Sequence, residues 1–154
     1  MTTIPFSDTR LQSTMIDLEA ALLTPVVAGE LADWVASVQK AAATFNTDFV
    51  RCVRSDLHPK YREIAKTDND LMSHVQQLLK TDHELFEAMA SFQDDAAALR
   101  QLAEVAGQEE VRVVEYQQDL EKNGLNLIMR IKKQHVAVAT WLDEAHCRDR
   151  GVGD

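Results

Sequence analysis

The stretch "LLKTDHELFEAM", residues 78–89, sets a histidine four residues ahead of a glutamate. On a helix His83 and Glu87 stand one turn apart, a spacing at which helical proteins hold metal ions. At about 100° per residue, with Asp82 at zero, Leu71, Val75, Leu78, Phe86 and Met89 fall within roughly 40° of it. His83 is then about 100° and Glu87 about 140° away, so the pair is expected to point outward as an exposed i,i+4 contact. The inward residue is Asp82. A carboxylate on an apolar stripe must find a partner or take up a proton. The same construction centres His135 among Ile128, Ile131 and Leu142, with His146 three turns later. Asp82 and His135 are the polar residues expected to look into the core. With His146 they are the candidate ligands if a metal is bound, and no metal site is otherwise expected.

Other chemistry-bearing types are less productive. His58 beside Pro59 and His74 off the apolar face are expected to be solvated. "DEAH", 143–146, matches a helicase motif by its letters alone, because the chain has no glycine-rich phosphate loop. There is no Glu-x-x-His pair of the di-iron type, and no serine or cysteine has a base nearby in sequence. Trp34, Tyr61, Tyr116 and Trp141 are expected to pack in or beside the core. Cys52 and Cys147 are too few for a disulfide framework and are expected to be reduced thiols. No catalytic or cofactor-binding residue emerges.

These residues must be positioned by helices. Gly (5) and Pro (3) are scarce, hydrophobic residues make up 45% and charged residues 27%, which suits a folded helical chain. The 154 residues are expected to form one domain with a real core, with 1–7 and 148–154 as flexible ends. A first helix is expected from Ser7-Asp8 to Leu23, with Leu11, Met15, Leu18 and Leu22 inward. A second is expected to open at Thr24-Pro25 and end near Pro59, with Leu31, Trp34, Val35, Val38, Ala42, Phe45, Phe49 and Cys52 on its stripe. "TDND", 67–70, is a capping box opening the third. The stretch "FQDDAAALRQLAEVAGQ" is expected to be a loop with a short helix. The fourth is expected from about Gly107 to Cys147, bent at Gly124. The fold class is therefore all-α, an up-down-up-down four-helix bundle.

The net charge of −9 argues against nucleic acid, and the basic run "RIKKQH", 130–135, is expected to be a solvated face. No apolar run approaches the roughly 20 residues of a membrane span, and the N-terminus lacks a signal-peptide pattern. A cytoplasmic location is expected.

The segment "KYREIAKTDNDLMSHVQQLLKTDHEL" resembles the centre of bacterial hemerythrin-like (HHE-type) domains, where an "f-x-E-I" stretch leads into a helix "V-x-x-L-x-x-E-H-x-x-L". The end, "IKKQHVAVATWLDEAHCRDRGVGD", resembles their closing helix, and the resemblance covers most of residues 11–154. It implies a four-helix bundle holding two irons on histidines and carboxylates, a family that binds or senses oxygen and its relatives. Where that family places ligands, this chain has Met15, no histidine in "NTDFVRCVRSD", Asp82 followed by Phe86, and His135 followed by Thr140. The resemblance thus implies a bundle that has lost its di-iron site, the space filled by Met15, Phe49 or Cys52, and Phe86, with Asp82 and His135 facing each other as a charge-assisted pair. The leading expectation is a non-enzymatic binding or regulatory protein, acting through an unknown protein partner or as a homo-oligomer. The alternative is an iron-binding oxygen or redox sensor with a degenerate site on Asp82 and His135. An enzyme using the core as a pocket ranks third.

Overall fold

The computed structural model describes the backbone of residues 8–27, 29–105 and 110–152, and the side chains of these except 110–113 and 148–152. All regular structure among the described residues is helical. Helix α1, Thr9–Leu23, opens as expected, with the Asp8 carboxylate accepting from the Arg10 N–H at 3.0 Å. It buries Leu11, Met15, Leu18 and Leu22.

Pro25 ends α1 instead of opening the next helix. Thr24, the residue before it, is extended (φ −65°, ψ 127°), the geometry a following proline favours. The connection turns at Gly29, whose φ of +87° suits a residue without Cβ. Trp34 Nε1 donates to the Thr24 carbonyl at 2.9 Å, tying the connection to α2, Leu31–Arg51.

The second departure is at Pro59. The chain does not break there: α2 passes through a π-helical segment, Cys52–Leu57, directly into α3, His58–Thr67, with the proline in the first turn of α3. The His58 N–H reaches back five residues to the Val53 carbonyl. Proline has no N–H and its ring crowds the carbonyl four residues earlier. A widened turn immediately before it shifts the register, and the rod continues. Phe45, Phe49, Val53, Leu57, Tyr61 and Ala65 are all buried at strict spacings of four. In an unbroken α-helix five such steps would carry a stripe roughly 200° around the axis. The π segment takes much of that rotation back.

Asp68 caps a 3-10 turn, Asn69–Leu71, by accepting from the Asp70 N–H, and α4, Met72–Glu104, follows. Residues 92–104 of the stretch expected to be a loop belong to this helix, and 106–108 lie outside the described residues. Phe92, Ala96 and Leu99 continue the buried stripe through it, and no glycine or proline interrupts 72–104. Helix α5, Glu110–Val152, runs past Cys147. Of the ends expected to be flexible, 1–7 and 148–154, residues 148–152 continue α5, while 1–7 and 153–154 lie outside the described residues.

Helix α1 packs on α2 and α5, and α4 packs on α2 and α5, around one continuous apolar core. Gly124 leaves room for its neighbours: a Cβ there would stand 2.8 Å from Leu22 Cδ1 and 3.0 Å from Phe92 Cε2. Lys132 Nζ binds Glu19 Oε2 across α1 and α5 at 3.3 Å. Arg51 binds Asp48 at 3.3 Å and Asp8 at 3.4 Å, fastening the start of α1 to α2.

Candidate functional site

Asp82 projects from α4 into the core and is 2% exposed. Its Oδ2 lies 3.2 Å from His58 Nε2, and its Oδ1 accepts from Gln134 Nε2 at 3.1 Å. The same Gln134 nitrogen also donates to the Leu78 carbonyl at 3.4 Å. Three elements meet here: the π–α3 junction sets His58, α4 sets Asp82, and α5 sets Gln134. Burial pushes the Asp82 carboxyl pKa up, and the hydrogen bonds from Gln134 and His58 pull against that shift. The fully buried Tyr61 hydroxyl lies beside the Asp82 carboxylate. Burial, then the neighbouring Asp82 charge, raise its pKa.

Asp82 and His135 do not form the expected pair; the imidazole on the carboxylate is His58, which was expected in solvent. The reason is the π segment, which brings the first turn of α3 over α4. His135 is buried from α5, its ring 6.1 Å from that of Phe49. Burial lowers its pKa from 6.5 to about 3, so the imidazole is neutral near pH 7. His146, the third candidate ligand, is exposed on α5.

The Phe49 ring lies 5.6 Å from Phe45 and 5.4 Å from Phe86, with Met15 and Cys52 also buried in the core. Arg54 covers the outer side of half-buried Phe86 at 5.2 Å. Burial, with the Asp56 and Asp8 charges, pushes the Cys52 thiol up to about 12. Such a thiol is a poor nucleophile. Cys147 is exposed, and both cysteines are free.

His83 and Glu87 form the outward pair expected of them, 2.9 Å apart and each 69% exposed. His74 is exposed but not isolated: its ring stacks on Trp141 at 5.2 Å and 6°. Trp141 in turn meets Tyr61 edge-on at 5.9 Å. An open cleft of about 590 Å³ lies beside this stack, lined by Leu71, His74, Trp141, Glu144, Ala145 and Cys147. Trp34, Trp141 and Tyr61 are buried as expected, but Tyr116 is 48% exposed.

Among the described residues, no three His, Cys, Asp or Glu side chains converge on a point that could hold a metal ion. Asp82 is surrounded by one imidazole, one amide and one phenol, and its two oxygens are already engaged by hydrogen-bond donors. This donor set does not fit a di-iron centre, which needs several converging nitrogen and oxygen ligands. His58, Tyr61 and Gln134 are the participants that periodicity reasoning missed. The signal for Tyr61 was the four-residue spacing running unbroken across Pro59; His58 carried none beyond adjacency to Leu57 on that stripe, and Gln134 none beyond adjacency to His135. No helix among the described residues is long and apolar enough to cross a membrane. Comparison with protein-family models, curated proteins and solved structures finds no match for this chain.

Proposed function

We propose that this chain is a hemerythrin-like, up-down-up-down four-helix bundle that has lost its di-iron site. It serves as a non-enzymatic binding or regulatory protein, acting through a protein partner or a second copy of itself. The observation that carries the reading is the engagement of Asp82, at the position the resemblance reserves for a metal ligand, by His58 and Gln134. A hydrogen-bonded cluster there does structurally what a metal would do: it gives the buried carboxylate partners and pins α3, α4 and α5 together.

The order of contacts supports the topology. Thr24 meets Trp34 while Asp8 meets Arg51, so α1 and α2 run in opposite directions. Gln39 pairs with Arg100 and Asn46 with Gln93, opposing α2 to α4. Asp82 meets Gln134 while Phe92 meets Gly124, opposing α4 to α5.

Elemental analysis of untagged protein from iron-supplemented cells tests the lost-site reading. The expected content is below about a tenth of an equivalent of iron, zinc or manganese. About one or two equivalents, lost on Asp82→Ala or His135→Ala substitution, would overturn it in favour of a metal-based sensor.

A further inference from the structure

Six of the nine large apolar side chains exposed among the described residues lie along one face, formed by α1, the connection after it, and α5. Ile16 (64% exposed) and Leu23 (55%) stand seven residues apart on α1. Met129 (66%) and Val136 (61%) stand seven apart on α5. Val27 and Val114 extend the face, lining with Leu23 a groove of about 470 Å³. On both helices the charge that shares the arc of the apolar pair has the same spacing: Ile16-x-x-Glu19-x-x-x-Leu23 and Met129-x-x-Lys132-x-x-x-Val136. At about 100° per residue each trio occupies an arc of roughly 60° on its helix. Glu19 and Lys132 are bonded to each other at 3.3 Å, so the two arcs lie side by side.

We propose that this face is the interface of a homodimer, with the second copy related by a two-fold axis parallel to α1 and α5. The charges select that axis. Contacts of Glu19 with Lys132 and of Leu22 with Gly124 show that α1 and α5 run in opposite directions. Rotation about an axis parallel to them lays α1 of one copy on α5 of the other. Glu19 then meets the second copy's Lys132, and apolar side chains meet apolar ones. The other in-plane two-fold would stack α1 on α1 and set Glu19 against Glu19, which is repulsive. An isologous contact of this kind closes on itself and leaves no further face to recruit a third copy. The charged residue amid apolar ones fixes register, as a polar position does in a coiled coil. In a chain of net charge −9, the opposite charges of Glu19 and Lys132 offset one another on this strip, which favours self-association.

The inference deepens the binding reading by naming its partner. It is tested separately, because metal content bears on Asp82 and not on this face. Sedimentation velocity on the full chain over about 1–200 µM should show a concentration-dependent species of twice the 17.3 kDa monomer mass. Ile16→Glu and Met129→Glu should each raise the dissociation constant at least about tenfold. Both sites are exposed, so circular dichroism should show the fold intact. The decisive arm uses Glu19→Lys and Lys132→Glu. Each variant alone should be monomeric, and mixing the two should restore a heterodimer, which an intrachain role for the Glu19–Lys132 bridge would not produce. A wild-type monomer throughout the range would overturn the proposal. So would a dimer unaffected by Ile16→Glu and Met129→Glu, or a mixture that stays monomeric.

Discussion

At the scale of single residues, His135 and Asp82 pull stability in opposite directions with pH. The folded-state pKa of His135 is lowered from 6.5 to about 3 by burial, so between these values the unfolded chain binds more protons. Its contribution is present above pH 6.5 and is lost as pH falls, by up to about 1.4 kcal/mol per pH unit. The Asp82 pKa is raised above 3.8, so its contribution is fully present below that value and is lost as pH rises toward the folded pKa. Urea titrations between about pH 4 and 7 should show His135→Leu flattening the acid limb and Asp82→Asn steepening it. An acid limb unchanged by His135→Leu would show that this imidazole is not held neutral by burial. Asp82 and His135 were legible in the sequence as inward polar residues because a 100° periodicity identifies the buried stripe. Their partners were not, because periodicity places a residue on its own helix and says nothing of which neighbour reaches it.

At the scale of elements, the π segment decides which face of α3 meets α4. Adding one residue to Cys52–Leu57, for example an alanine after exposed Ser55, would lengthen a turn that is already widened. It would also rotate α3 by about 100° relative to α2, taking His58 off Asp82 and Tyr61 out of the core. The expected cost is roughly 3–5 kcal/mol, the loss typical of leaving a buried charge without its partner and emptying an aromatic site. Chemical denaturation of the insertion variant measures it, and a loss below about 1 kcal/mol would mean the turn has no positioning role. Both errors of element boundary came from proline. Pro25 and Pro59 carry the same local restriction, yet one ends a helix and the other lies inside a continuous rod. At Pro25, Thr24 takes the extended geometry and Gly29 supplies the turn, whereas at Pro59 the buried stripe from Phe45 to Ala65 rewards continuing. In the second half of α4, where no proline stands, the buried stripe of Phe92, Ala96 and Leu99 likewise outweighs the local signal, here a polar composition.

At the scale of the whole molecule, one core runs from end to end. Trp34 sits beside the connection after α1, and Trp141 sits beyond Tyr61 at the end where His74 and Leu71 lie. Because the apolar cluster includes both indoles without a break, the described helices should unfold as one cooperative unit. Fluorescence of Trp34→Phe and Trp141→Phe variants, each compared with its own far-UV circular dichroism, should give coincident urea midpoints. Midpoints separated by more than about 0.5 M would reveal two units instead of one. The all-α class was legible here from composition and stripe alone, because helix-forming residues and sparse glycine and proline leave few alternatives.

Gly124 has a reach beyond its own contacts. With the Leu22 and Phe92 side chains occupying the space a Cβ would need, it works as a feeler gauge for the gap between α1 and α5. The two arcs of the proposed dimer face are carried on those helices, so their separation is calibrated by a residue inside the protein that touches no partner. A bulkier side chain there would detune self-association from within, with every surface residue unchanged.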